Sequence, residues 1–125
     1  MKKALKTQLA PQAIGPYSQA ILAGELLFIS GMLPLVPETM KLVEGDAGAQ
    51  ARQVMGNLCG LLSAQGLGME SLVKTTIYLK SLEDFAQVNE VYAAHFAGDP
   101  PARACVEVSR LPKDALVEIE AIAAL

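Results

Sequence analysis

Polar residues near the end of the chain have side chains suited to chemistry on a small charged substrate. Arg103 begins a largely apolar segment, Cys105 follows it, and Glu118 and Glu120 alternate with apolar residues further on. A guanidinium in apolar surroundings needs a carboxylate, because an unpaired buried charge is costly. Its planar fork can hold that carboxylate through two hydrogen bonds. The partner is either a ligand or one of the two glutamates, and the pattern alone leaves both alternatives open.

Groups that could transfer protons or attack a substrate are few. A glutamate within an apolar strand can have a raised pKa and can orient water, although a solvated or salt-bridged face also explains the Glu118 and Glu120 pair. Cys105 would need a lowered pKa to act as a nucleophile, and no histidine is near it in sequence to serve as its base. A small buried strand residue is the favoured interpretation of Cys105. His95 is the only histidine, which excludes His-based metal clusters, and helix capping is its ordinary explanation.

Two glycine-containing turns could border a site. The turn at residues 14–18 leads into a strand, and Tyr17 there could supply a hydroxyl. Ser30 and Gly31 end another strand, and Gly31 would permit a ligand to approach the backbone closely. Both segments could equally be ordinary turns.

Length and composition indicate one domain over residues 1–125 and an oligomer. The 125 residues are 52% hydrophobic and contain no Trp, so the chain has more aliphatic surface than one small domain readily buries. Burial between subunits is the simpler explanation.

Charge, cysteine count and hydropathy exclude several classes of protein. With a formal net charge of −3, the chain lacks the basic surface that binding to nucleic acids requires. Two cysteines make no disulfide framework. No secretory signal pattern and no membrane-spanning apolar run is present. We therefore expect a cytoplasmic protein without membrane or nucleic-acid partners.

Two amphipathic helices are predicted. The first begins at the N-cap Asp46 and runs to about Gln65, with apolar residues at helical spacing. The second opens at Ser81, with Asp84 completing a capping box. Its expected apolar stripe consists of Leu82, Phe85, Val88, Tyr92 and Phe96.

Strands are predicted at residues 26–30, 73–80, 103–108 and 117–121. In the second of them, alternation places Val73, Thr75, Ile77 and Leu79 on one face. In several strands one face is wholly apolar and is expected to pack on the helices, and the charged face then lies toward solvent, a subunit interface or a site. Long connections that contain a helix favour a mixed or parallel sheet in an α+β or α/β domain.

Ordered segments across nearly the whole chain resemble the reactive intermediate deaminase family (RidA, also called the YjgF family). The segments that carry this resemblance lie at residues 13–20, 29–31, 73–76, 82–85, 88–92, 101–108, 111–114 and 117–121.

The resemblance implies a fold, an assembly and a reaction. The fold is a chorismate-mutase-like α+β subunit, in which two helices pack on one face of a mixed sheet. Three subunits form a trimeric barrel with clefts between neighbours. The reaction is hydrolysis of 2-imino acids or their enamines, such as 2-iminopropanoate and 2-iminobutanoate, to 2-oxo acids and ammonia. No metal or cofactor is expected.

The resemblance also assigns roles to particular residues. Arg103 would bind the substrate carboxylate, and Glu118 would position or activate water. Tyr17 would close the cleft from an adjoining subunit. Backbone groups near Gly31 and Cys105 would hold the imine nitrogen and water. Further matching positions are Ser30 and Asn89.

Two departures from the family pattern lie near the expected cleft. Met32 stands where similar members commonly have Gln, and the loop before Arg103 is a few residues short. Substrate size and loop closure depend on both.

The sequence leaves three other functions open: a non-catalytic protein that binds a 2-oxo or amino acid, a holdase-type chaperone, and an RNA-cleaving protein. The acidic charge argues against the last.

Overall fold

The computed structural model describes residues 1–125 and contains a mixed six-stranded sheet. Its strands lie in the order β1-β2-β3-β8-β6-β7. All neighbours pair antiparallel except β6 and β7, which are parallel. The bounds are β1 Lys2–Leu5, β2 Ala20–Ala23, β3 Leu26–Met32, β6 Leu72–Leu79, β7 Ala102–Glu107 and β8 Val117–Ala124. A separate ribbon joins β4, Leu35–Val36, to β5, Lys41–Leu42.

The first helix has the predicted bounds. Helix α1 spans Ala47–Ala64, and the Asp46 carboxylate accepts a hydrogen bond from the Ala49 amide at 3.0 Å. An N-cap of this kind satisfies one of the amides that the first turn leaves unpaired. The apolar stripe of α1 is buried and packs on β3, β8 and α2.

The second helix is shorter than predicted. A 3₁₀ turn, Leu82–Asp84, precedes helix α2, Phe85–Ala93. The Ser81 hydroxyl accepts from the Glu83 amide at 3.2 Å, so the capping box with Asp84 does not form. Leu82 and Phe85, the first members of the expected stripe, are exposed, whereas Val88 and Tyr92 are buried. Helix α2 therefore packs on the core through Val88 and its last turn, and not through its first residues.

One face of the sheet carries the core and the other is open. The buried cluster joins both helices to that face. Its largest fully buried members include Leu27, Met55, Leu58, Leu61, Leu62, Ile77, Leu79 and Ile119. On the open face, Leu26, Phe28 and Val106 are 39%, 42% and 42% exposed. Side chains of that size are rarely left in contact with water as a group.

Two predictions of strand polarity are wrong. A register shift between Leu72 and Lys74 buries Leu72 and leaves Val73 exposed, because a bulge reverses the alternation locally. In β7 the charged face lies toward the helices, while Ala104 and Val106 face outward. As an edge strand, β7 extends past the core, so long polar side chains are tolerated on the helix side.

The α+β prediction with two helices on one face of a mixed sheet is confirmed. Strand β3 extends two residues beyond the predicted end, and β1 was not predicted. None of the helices has the length and hydropathy needed to cross a membrane.

Candidate active site

The residues predicted to form the site lie on opposite faces of the sheet. Arg103 pairs in register with Thr75 of β6, and Glu118 pairs with Tyr78 of the same strand. Side chains alternate along a strand, so residues three apart point to opposite faces. Arg103 therefore lies on the helix face and Glu118 on the open face. Within one protomer they cannot contact the same small molecule.

Arg103 is held by helix α2 and not by a glutamate. Its Nη1 donates to the Asn89 side-chain oxygen at 2.6 Å, and its guanidinium carbon lies 5.1 Å from the centre of the Tyr92 ring and 5.6 Å from that of Phe85. The expected alternative, a salt bridge to Glu118 or Glu120, does not form, because the strand register separates the groups.

The surroundings of Arg103 leave its charge without a carboxylate. The only salt bridge in the chain joins Arg110 to Asp114 at 2.7 Å. Arg103 is exposed at a concavity that also includes Asn89, Tyr92 and Pro101. The ring faces and the Asn89 oxygen orient the guanidinium, since cations are attracted to aromatic faces. The arrangement can receive one anionic ligand group.

Cys105 shares the helix face with Arg103 and is half-buried against the core. Burial raises the pKa of its thiol, and the Arg103 charge offsets only part of that rise. A thiol with a raised pKa is a poor nucleophile at neutral pH. These surroundings favour the structural interpretation of its side chain.

Glu118 lines a different cavity, of about 620 Å³, on the open face. The cavity also includes Tyr17, Ser30, Gly31, Met32, Lys113 and Glu120. Five of the eight predicted site residues therefore meet here, and Arg103, Asn89 and Cys105 do not.

The Glu118 carboxyl group occupies the space that Gly31 leaves open. A Cβ atom at position 31 would overlap the Oε2 atom of Glu118. The absence of a side chain at Gly31 gives the Glu118 carboxyl group access to the backbone, and the predicted approach of a ligand at this position stays a prediction. Desolvation raises the pKa of Glu118, and the charge of Glu120 adds to the rise. Glu118 can therefore exchange a proton nearer neutral pH than an exposed glutamate.

Ser30 bonds the turn at residues 14–18 to the sheet, and Tyr17 bonds within the turn. The Tyr17 hydroxyl accepts from the Ile14 amide at 3.2 Å, and Tyr17 is 51% exposed. The Ser30 hydroxyl donates to the Ser18 carbonyl at 2.6 Å, and the Ser30 amide donates to the Gln19 carbonyl. Ser30 thus fixes the position of the turn, and Tyr17 remains accessible from outside the protomer.

Met32 lies at the inner end of the cavity but is 5% exposed and belongs to the core cluster. Its register partner is Ile119 of β8, on the helix face. The side chain at position 32 therefore packs mainly inward.

Sequence reasoning missed two residues that shape this cavity. The buried Gln19 side chain bonds to backbone groups of Thr7, Ala10 and Pro11 and so holds one wall in place. The hydroxyl of Tyr78 donates to Glu120. Alternation placed Tyr78 on the polar face of its strand, but only the register between strands shows which glutamate it contacts.

Comparison with known proteins gives the family. The model of the endoribonuclease L-PSP family matches residues 7–125. A RutC family protein of Pyrococcus horikoshii is 54% identical over 123 residues, which is 98% of each chain. The chloroplastic reactive intermediate deaminase A of Arabidopsis thaliana is 48% identical over 124 residues, 99% of this chain and 66% of that one. The chain is a member of the Rid family.

The Rid-family fold is confirmed by solved structures. The crystal structure of Escherichia coli TdcF with bound serine matches with a TM-score of 0.91 at 42% identity, and 98% of each chain is covered. Other Rid-family matches include proteins described as endoribonucleases, so membership alone does not determine the reaction.

Proposed function

We propose that the protein hydrolyses reactive 2-imino acids and their enamine tautomers, such as 2-iminopropanoate and 2-iminobutanoate, to 2-oxo acids and ammonia. We place this activity in a cytoplasmic homotrimer. The observation that carries the proposal is the separation of Arg103, which has no carboxylate partner, from Glu118 on the opposite face of the sheet. A small substrate needs both groups, so a second subunit has to supply one of them.

The assembly also accounts for the open sheet face. Leu26, Phe28 and Val106 are exposed there, and packing against neighbouring copies would remove them from water. The β7 edge carries Arg103 to the periphery of the protomer. In the trimer that we propose, Arg103 of one subunit and Glu118 of the next border the same cleft.

The reaction follows from the chemistry of the two groups. The Arg103 guanidinium binds the substrate carboxylate and places the adjacent iminium carbon beside Glu118. The ionised Glu118 removes a proton from water as its oxygen attacks that carbon, and the C=N electron pair moves to nitrogen. Glu118 then returns the proton to nitrogen. The ionised Glu118 next takes the proton of the remaining hydroxyl group as that oxygen forms the carbonyl and the C–N bond breaks, which releases ammonia and the 2-oxo acid. Glu118 then passes this proton to the ammonia, which leaves as ammonium.

The other site residues have supporting roles in this proposal. Asn89 orients Arg103, and Tyr17 closes the cleft from the adjoining subunit. Backbone groups near Gly31 and Cys105 bind the imine nitrogen and water, while Ser30 and Met32 form the wall behind them. Bound serine in TdcF supports a site for small amino-acid-like carboxylates.

A coupled assay tests the proposal. A pyridoxal-phosphate dehydratase generates 2-aminoacrylate or 2-aminocrotonate, and the protein is added while imine loss and ammonia release are followed. We expect the wild type to accelerate release and Arg103→Ala to reduce kcat/KM by about 100-fold or more, because the charge-assisted contacts to the carboxylate are lost.

Arg110→Ala is the matched control, since it removes an exposed arginine whose partner is Asp114. It should retain wild-type activity. A wild type that adds nothing over buffer contradicts the deaminase proposal.

Binding without turnover is the second candidate, and bound serine in TdcF favours it. Calorimetry that shows tight binding of serine or a 2-oxo acid, together with absent deamination, would support this alternative. Holdase activity would instead use the exposed apolar sheet face. RNA cleavage is disfavoured by the net charge of −3 and by the two glutamates in the cavity.

A further inference from the structure

Tyr78 connects the two glutamates of the open face. On β6 it lies beside Glu118 in the strand register, and its hydroxyl donates to the Oε1 atom of Glu120. The tyrosine therefore neighbours one carboxyl group and bonds the other. The mechanism above gives Tyr78 and Glu120 no role.

The two carboxyl groups have different surroundings although they lie two residues apart on one strand. The Glu118 group is half-buried above Gly31 and accepts no hydrogen bond from the chain. The Glu120 group accepts the hydrogen bond from Tyr78. Two neighbouring carboxylates resist ionising together, and a hydrogen bond donated to one of them favours its ionised form.

We propose that Tyr78 is a positioning residue for Glu118: by donating its hydroxyl to the neighbouring Glu120, it stabilises negative charge on that carboxylate, so that the last proton of the pair rests on Glu118. Its importance for catalysis rests on the proposed function, in which Glu118 takes and returns a proton. The assignment of the proton itself depends only on the geometry of the three residues.

Other charged and titratable groups also face this pair. Lys113 and Tyr17 line the same cavity as Glu118. Lys74 of β6 bonds to the Thr76 hydroxyl at 3.2 Å, and Thr76 is the register partner of Glu120. A substitution at Tyr78 leaves all of these in place, so it isolates the effect of one hydroxyl.

The proposal predicts the direction in which the pKa of Glu118 shifts in the Tyr78→Phe variant. Without the hydroxyl, the Glu120 carboxylate loses the donor that stabilises its negative charge, and the proton of the pair is shared more evenly between the two carboxyl groups. The pKa of Glu118 therefore falls. Glu120→Gln removes the same charge and should shift Glu118 in the same direction. The double variant should add little to either single one, since both act through one interaction.

The experiment follows the Glu118 carboxyl carbon by NMR through a pH titration of the assembled protein. We expect Tyr78→Phe and Glu120→Gln each to lower the midpoint of the Glu118 titration by about half a pH unit. Tyr92→Phe is the matched control, because it removes a hydroxyl that bonds Thr75 on the helix face. It should leave the midpoint unchanged. The proposal is overturned if Glu120→Gln lowers the midpoint but Tyr78→Phe does not, or if neither variant moves it.

The pH profile of activity gives the second readout. The acid limb of kcat/KM should move to lower pH in Tyr78→Phe, with a lower plateau because a weaker base remains. A structural role alone would lower activity at every pH without moving the limb. If the wild type has no deaminase activity, the proposed function fails, and the NMR titration still decides which glutamate holds the proton.

Discussion

At the scale of single residues, the surroundings of Glu118 differ from those of an ordinary surface carboxylate. It is half-buried on the open face, above a glycine and two residues from a second carboxyl group. Burial of an ionisable group links its protonation to folding. The raised pKa therefore has a consequence for stability as well as for chemistry.

We expect Glu118→Gln to become more stable relative to wild type as pH rises. The folded pKa of Glu118 lies above its ordinary value of 4.5, so the folded state holds this proton after the unfolded state has released it. The contribution of Glu118 to stability is complete below about pH 4.5 and is lost as pH rises through the folded pKa. Gln does not titrate and shows no such loss.

Denaturant unfolding between pH 4 and pH 8, at one protomer concentration, measures the effect. The difference in unfolding free energy between the two proteins should grow with pH. A constant difference would contradict the burial argument.

At the scale of elements, two of the three glycines of helix α1, Gly56 and Gly60, have different surroundings. Gly56 is exposed, and a Cβ there would meet nothing within 4 Å. A Cβ at Gly60, one turn later, would overlap the backbone carbonyl oxygen of Leu9. The segment before β2, which forms one wall of the Glu118 cavity, therefore crosses α1 at Gly60.

Alanine substitutions at these two positions should change the stability of the protein in opposite directions. Gly56→Ala should stabilise the protein by about 0.5–1 kcal/mol, because alanine loses less backbone entropy in a helix. Gly60→Ala should destabilise it by about 1–3 kcal/mol, because the Leu9 segment has to move. Thermal unfolding of both variants tests this. Equal stabilisation by both substitutions would show that the segment at Leu9 does not need to lie so close to Gly60.

At the scale of the whole molecule, the proposed reaction requires Arg103 and Glu118 at one substrate, and their positions make one protomer an incomplete site for it. Each group borders its own concavity, and the β7 edge and the apolar open face are the surfaces left to a neighbour. A site shared between subunits predicts that two inactive variants can restore each other.

We expect co-expressed Arg103→Ala and Glu118→Gln subunits to regain activity that neither has alone. In randomly mixed trimers, about a quarter of the clefts combine an intact Arg103 with an intact Glu118 from the neighbour. The measurement is the coupled deaminase assay on purified mixed trimers, with each variant as its own control. No recovery would place both residues in one protomer's site and contradict the shared cleft.

Local patterns predicted much of this protein because helices and strands are local structures. The N-cap Asp46 and the following stripe predicted α1 within a residue, and alternation placed Glu118 and Glu120 on one face of β8. The family resemblance covered the chain and agrees with the family found by comparison. The shortened α2 and the reversed position of Val73 were missed, since a 3₁₀ turn and a bulge depend on neighbouring elements.

The elements, the α+β class and the residue types available for chemistry follow from the order of the amino acids, because they depend on local patterns. Which residues meet does not, because strand register and sheet order depend on pairing between distant segments. That register separates Arg103 from Glu118, brings Glu118 over Gly31, and joins Tyr78 to Glu120. Side-chain spacing along one strand contains no information about the strand beside it.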